Sequence, residues 1–328
     1  MTTNPGLKLV NRDQDGIDTA FRSDVLEGLA QEQKAVPARW LYDDAGSQLF
    51  ENITQLPEYY PTRAETEILQ SQSEAFAQQI HSGCAVVEFG SGSSVKTPLL
   101  LSAIEPSAYV PLDISGDFLR AAASELAAKF TGLPVHPVEA DFMRRVELPD
   151  AIADLPKLGF FPGSTIGNMV ARTAVDLLRN MRDTLGVGSQ LLIGMDLIKE
   201  PQVLIAAYDD ALGVTAEFNL NLIRRINREL NGTIPIAALM HEARWNDENA
   251  RIEMHLVARE NIAFTVGVQH FSMIEGESIH TENSHKFNRR TSNLLLLAGG
   301  WEPQARWKDR AGQFSLLLAE ARPDRSAP

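Results

Sequence analysis

The chain has 328 residues, 44% of them apolar and 22% charged, a balance that suits a globular protein with room for two ordinary domains. A formal net charge of −13 argues against a nucleic-acid partner and against a polybasic membrane anchor. There is no apolar run long enough for a transmembrane helix, no apolar stretch at the N-terminus, and a single cysteine, Cys84, so a soluble cytoplasmic protein without an intrachain disulfide is expected.

Residues 8–62 contain an aromatic-rich arm, ARWLYDDAGSQLFENITQLPEYYPTR. From residue 84 to 197 strand and helix signals alternate. AVVEF reads as a buried strand, SVKTPLLLSAI as the start of a helix and AYVPLDI as a second strand. SGDFLRAAASELAAKF reads as an Ala/Leu-rich amphipathic helix with Ser115 as its N-cap. PVHPVEADF and KLGFFPGST follow, then the helix ARTAVDLLRNMRDTLG closed by Gly186, then SQLLIGMDLI. Such alternation predicts a parallel sheet covered on both faces. Residues 198–285 break the pattern: helices VLIAAYDDAL and AEFNLNLIRRINREL precede the strand-like ARIEMHLVAR and IAFTVGVQHFSM. A helix through SNLLLLAGG and an antiparallel hairpin, WEPQARWKD with GQFSLLLAEA, return to the sheet. Two domains are expected, 63–197 with 286–328 and 8–62 with 198–285.

The stretch VVEFGSGSSVKT, residues 86–97, is a strand entering a glycine turn. A Walker A loop requires GxxxxGK[ST], and no glycine precedes Lys96 and Thr97. A dinucleotide fingerprint requires a third glycine at position 95, which is Val95. What remains is Glu88 on the first strand with Gly90 and Gly92, Asp113 at the end of the second, and Asp141 with Phe142 after the third. A carboxylate at Asp113 suits a ribose diol, because it accepts both hydroxyl hydrogens. An acid beside an aromatic ring suits an adenine amino group and ring face. The trio resembles the S-adenosylmethionine site of class I methyltransferases. The plainer alternative is that the glycines only turn the chain and the two aspartates only cap helices; three features in register at successive strand ends favour the cofactor. In the arm, Trp40, Tyr42, Phe50, Tyr59 and Tyr60 are either ordinary core or a surface for ammonium and sulfonium groups.

Over almost its whole length the chain resembles the histidine-specific Nα-methyltransferases of ergothioneine biosynthesis. The motifs that carry the resemblance are YDDAGSQLFENITQLPEYYPTR, EFGSGSSVKT, PLDIS, ADF, GSTIGN, AYDDALGVTAEFNLN, RIEMHL and TENSHKF. It implies an α/β class I methyltransferase domain, Rossmann-like with a mostly parallel sheet, and a smaller α+β substrate-binding domain. It implies transfer of three methyl groups from S-adenosylmethionine to the α-amine of L-histidine, giving hercynine; histidine and its mono- and dimethylated forms are then the partners. Position by position, the cofactor side is Tyr42, Gly90, Lys96, Asp113, Asp141 and Phe142. Asn168 and Tyr208 match the α-carboxylate binders, with Tyr59, Gly163, Thr215 and Phe218 lining the same pocket. Met254, Glu282 and Ser284 match the imidazole readers, and Tyr42 with Tyr59 is placed to orient the amine. Each has a plainer alternative: Asn168 as a helix cap, Glu282 as a solvated loop acid, Met254 as core. Pro162, Asn283 and His285 depart from the pattern without removing a named contact. A methyltransferase for another amino acid, an NAD-dependent oxidoreductase and a non-catalytic S-adenosylmethionine-binding regulator are the competing readings. Seven histidines without HExxH or a Cys/His cluster argue against a metal site, and a monomer is expected.

Overall fold

The computed structural model describes residues 16–92, 96–114 and 116–323; the expected cap Ser115 and the non-glycine position Val95 lie outside them. The chain divides into two compact units, Met1–Tyr60 with Lys199–His285 and Pro61–Ile198 with Lys286–Pro328. Its breaks follow residues 60, 198 and 285, where the sequence reading put them after 62, 197 and 285.

The second unit is built on a seven-stranded sheet, in the order Trp301–Lys308, Phe314–Ala321, Gln190–Asp196, Lys157–Phe161, Ala85–Phe89, Ala108–Asp113 and Val138–Glu139. Strands from Gln190–Asp196 to Val138–Glu139 run parallel, while Phe314–Ala321 is antiparallel to both its neighbours. Ala85–Phe89 is buried along its whole length, as a central parallel strand covered on both faces must be. Its side chains alternate accordingly. Ala85, Val87 and Phe89 join the core under the helix Ala171–Leu185, and Val86 joins the core with Ile68 and Leu100 on the other side. That helix ends at Gly186, whose φ of +90° suits glycine. This is the mostly parallel, Rossmann-like sheet of the class I methyltransferase fold. The strand order reverses beside Ala85–Phe89, and ligands of open α/β sheets bind outside the strand C-termini at such a switch point.

The other unit holds a four-stranded sheet, Lys34–Ala35, Ser278–His285, Arg251–Ala258 and Leu239–Asn246, and a separate two-stranded hairpin. Helix Val214–Glu229 buries Thr215, Phe218, Asn219, Leu222, Ile223 and Ile226, the three-and-four spacing of one helical face. IAFTVGVQHFSM, expected as one strand-like stretch, is two strands, Ile262–Val266 and Gln269–Met273, turned at Gly267 with φ +58°. Leu239–Asn246 and Ser278–His285 were not read as strands. His241, Glu242 and Arg244 in one, and Glu282 and Asn283 in the other, interrupt the apolar alternation. Both extend because each pairs with an edge of Arg251–Ala258. Among the described residues no helix is long and apolar enough to cross a membrane.

Candidate active site

In the sheet unit, the Gly90 and Ser91 N–H groups both donate to the Leu112 carbonyl, at 2.9 and 3.1 Å, and fold the chain back at the strand end. Gly90 has φ +77°, and a Cβ there would lie 3.5 Å from the Phe142 ring. Glycine therefore both permits the turn and keeps the space beside Phe142 clear. Phe142 is fixed edge-on against Phe89 and Phe161. Asp113 closes its strand, and Asp141 accepts the Met143 N–H at 2.9 Å in a local turn rather than capping a helix. These groups fit an adenosyl ligand: a cleared cradle, a ring face and two acids at successive strand ends.

Glu88 stands apart from that cradle. Its carboxylate is buried and accepts hydrogen bonds from Thr97 Oγ1 at 2.8 and 2.9 Å and from the Tyr109 hydroxyl at 2.5 Å. Burial pushes its pKa up to about 7 against those bonds, and the Thr97 bonds tie it to the start of helix Thr97–Ile104. Lys96, just before that helix, places Nζ 2.6 Å from Glu65, a buried acid that also accepts the Gly163 N–H at 2.9 Å. Gly163 and Ser164 are both left-handed, at φ +81° and +57°. Asn168 ends the short 3₁₀ turn Thr165–Asn168, and the next helix starts at Ala171 with Val170 at its N-cap. Asn168 is thus not a helix cap.

In the other unit, Phe50, Ile53, Tyr59, Ala207, Tyr208, Thr215, Phe218, Met254 and Glu282 line one pocket, with about 270 Å³ of space including its open mouth. The YDDAG motif explains how Tyr42 reaches this group. Asp43 caps helix Asp44–Thr54 through the Gly46 N–H and accepts from Asn221 and Arg228, both at 2.7 Å. A Cβ on Gly46 would strike the Leu41 carbonyl at 1.8 Å, so only glycine lets the arm fold so tightly. Tyr42 then packs edge-on against Phe50 and Phe218. Although the residue is 37% exposed, desolvation, with Glu282, Tyr59 and Tyr208 nearby, holds its pKa well above that of free tyrosine.

At the polar wall, Tyr208 Oη and Ser284 Oγ share a hydrogen bond of 2.7 Å, and Glu282, 8% exposed, stands directly opposite Met254 in the sheet. Glu282 is therefore no solvated loop acid. Met254 is core and pocket wall at once. Asp210 caps helix Val214–Glu229 through the Val214 and Thr215 N–H groups, which seats Thr215 in the wall. Tyr208 is braced from behind. Asn219 Nδ2 donates to His241 Nδ1 at 2.9 Å, so His241 Nε2 carries the hydrogen that meets the Tyr208 carbonyl at 2.8 Å.

The expected site residues thus form two groups. Tyr42, Tyr59, Tyr208, Thr215, Phe218, Met254, Glu282 and Ser284 belong to one unit; Gly90, Lys96, Asp113, Asp141, Phe142, Gly163 and Asn168 belong to the other. Phe50 stood among the arm's aromatics without a role. Ile53, Ala207 and the braces Glu65, Asn219 and His241 gave no sign in the sequence, because burial of one polar group on a helix or strand leaves no periodic mark.

The fold also gathers Glu253, His255 and His280, with donor atoms within 4.8 Å of one another. The two rings are stacked, 4.8 Å apart and 15° from parallel, so their in-plane lone pairs do not converge. The carboxylate is already engaged by Arg251 at 2.6 Å and Asn246 at 2.9 Å. The trio is a sheet-face network, and it makes the fold sensitive to acid. Burial lowers the His255 pKa to about 4, and Arg251, Asn246 and His255 hold Glu253 down at about 2. Between pH 6.5 and 4 the unfolded chain protonates His255 while the folded one does not, so stability falls as pH falls, by up to about 3 kcal/mol. Below about pH 4.5 Glu253 adds a loss of the same sign. The melting temperature should drop through this window, and His255→Gln should flatten the slope between pH 6.5 and 4; equal slopes would remove His255 as the cause.

The family model of histidine-specific, S-adenosylmethionine-dependent methyltransferases matches residues 21–321. Histidine N-alpha-methyltransferase from Mycobacterium tuberculosis is 38% identical over 316 residues, covering 93% of this chain and 96% of that protein. Ergothioneine biosynthesis protein 1 from Neurospora crassa is 29% identical over 88% of this chain but 33% of its own length. A 4-dimethylallyltryptophan N-methyltransferase from Claviceps purpurea is 24% identical, over 95% of this chain and 98% of that protein. Matches of this extent leave no place for the NAD-dependent oxidoreductase reading. The chain belongs to the family of histidine-specific, S-adenosylmethionine-dependent methyltransferases.

Proposed function

We propose that the protein transfers three methyl groups, one after another, from S-adenosylmethionine to the α-amine of L-histidine, giving hercynine for ergothioneine biosynthesis. The observation that carries this reading is Glu282, a nearly buried acid in the wall of an aromatic pocket, opposite Met254 and beside the Tyr208–Ser284 hydroxyl pair. A carboxylate there accepts an imidazole N–H, and Met254 packs a ring of that size. An indole-sized substrate, as the name of the Claviceps relative implies for that protein, asks for a larger and less polar wall.

S-adenosylmethionine supplies an electrophilic methyl on a positively charged sulfur. Asp113 accepts the ribose hydroxyls, and Asp141 with Phe142 takes the adenine. Tyr208 holds the substrate carboxylate. With the carboxylate and imidazole both anchored, the amine turns between transfers while the ends stay fixed. Tyr42, Phe50, Tyr59 and Phe218 offer ring faces that tolerate the growing ammonium. The protein acts as a cytoplasmic monomer without nucleic-acid or membrane partners, in keeping with its charge of −13.

The direct test is incubation of the purified protein with S-adenosylmethionine and each common amino acid in turn, read by mass spectrometry. Histidine should gain one, two and then three methyl groups. A better acceptor among the other amino acids, or arrest before the third methyl, would overturn the substrate or the product. On the cofactor side, Asp113→Ala should weaken binding of S-adenosylhomocysteine by about 1.5–3 kcal/mol, the worth of hydrogen bonds to a charged group. Unchanged affinity in calorimetry would remove Asp113 from the ribose.

A further inference from the structure

Residues two apart on a strand share a face, so His280 and Glu282 should point the same way. They do not. His280 pairs with His255 and Glu282 with Met254, and Thr281 is an extra residue between them. Since His255 and Met254 are neighbours on their own strand, they face opposite sides of the sheet. The bulge at Thr281 therefore turns the strand over between His280 and Glu282. In regular pairing Thr281 would stand opposite Met254, and Glu282 opposite Glu253 on the face of the stacked histidines. Ser284, opposite Ile252, follows Glu282 onto the Met254 face, where it meets Tyr208.

Two side chains hold the bulge. Thr281 is buried, and its Oγ1 donates to the Met254 carbonyl at 3.1 Å. His280 Nε2 donates to the Glu282 carbonyl at 3.0 Å, and its ring stacks on His255. His255 is itself fixed by Ser278 at 3.0 Å and Glu253 at 3.2 Å. Neither Thr281 nor His280 is among the residues that line the pocket.

We propose that Thr281 and His280 are positioning residues for substrate specificity: they hold a one-residue bulge that puts Glu282 on the pocket face opposite Met254. This rests on the reading of Glu282 as acceptor of the imidazole N–H. Three variants test it. Thr281→Val keeps the shape and removes the hydroxyl, His280→Leu removes donor and stack, and His280→Gln retains an N–H donor. Thr281→Val and His280→Leu should each raise the KM for histidine roughly ten-fold, the upper worth of a buried hydrogen bond. The affinity for S-adenosylhomocysteine should stay within about two-fold, as expected for a change confined to one pocket wall. His280→Gln should recover part of the loss, and crystal structures of the two damaging variants should show Glu282 displaced from Met254. An unchanged KM, a parallel loss of S-adenosylhomocysteine affinity, or a bulge with Glu282 unmoved would overturn the proposal. If His280→Leu does not fold, the shape-conserving Thr281→Val decides. If the unaltered protein fails to bind histidine, the proposed function falls, and the position of Glu282 in the variant structures still judges the bulge.

Discussion

Glu282→Ala is expected to lower kcat/KM for histidine by about 30-fold to several thousand-fold, while S-adenosylhomocysteine binds with little change. The range corresponds to the 2–5 kcal/mol or so lost when one partner of a buried, charged hydrogen bond is removed. The upper part applies if the imidazole N–H is left facing apolar surface, and Met254, Phe218 and Ile53 line the same pocket as Glu282. Adding Met254→Val should widen the wall where both residues meet in register, and turn preference toward apolar rings such as indole. Competition between histidine and tryptophan in one reaction gives the ratio of kcat/KM values directly. If the double variant keeps the parent's preference for histidine, the imidazole is read elsewhere.

The sheet unit was largely legible in the sequence, because central parallel strands such as Ala85–Phe89 are continuous apolar runs between helices. The glycine turn was legible too, since Gly90 does what only glycine does at φ +77°. In the other unit the long helix AEFNLNLIRRINREL was read, and the structure buries 215, 218, 219, 222, 223 and 226 along one face of it. Its two flanking strands were not. Leu239–Asn246 and Ser278–His285 put polar residues on a face that another part of the chain covers, and single-strand alternation carries no record of that. The bulge at Thr281 compounds the loss, for it shifts the pattern by one residue in mid-strand. Glu282 was found through its motif and would have been missed by periodicity. The same limit hid Glu65 and His241, polar groups whose purpose is to hold Gly163 and Tyr208 in place.

The rate at saturating S-adenosylmethionine should climb about ten-fold per pH unit below the pKa of the bound amine and level off above it. The nucleophile is the neutral amine, since an ammonium has no lone pair, and free histidine is mostly ammonium at neutral pH. Tyr42 does not supply a phenolate to take the extra proton. Its hydroxyl is held well above the usual tyrosine range by burial, then by Glu282, Tyr59 and Tyr208, so it stays neutral throughout the assay range. In the proposed reaction Tyr42 would serve as a fixed hydrogen-bonding partner that aims the lone pair, and its ring packs edge-on against Phe50 and Phe218. Tyr42→Phe keeps the ring and should therefore lower kcat more than it raises KM, by up to about 10²-fold, the cost of a misaimed reacting atom. The midpoint of its pH profile should stay where the parent's lies, because the titrating group is the substrate. Hercynine, whose α-nitrogen has neither N–H nor lone pair, should accept no fourth methyl there at any pH. A rate that is flat from about pH 6 to pH 9, with chemistry shown to be limiting by single-turnover measurement, would defeat the neutral-amine mechanism. A midpoint displaced in Tyr42→Phe would instead make the tyrosine the titrating base.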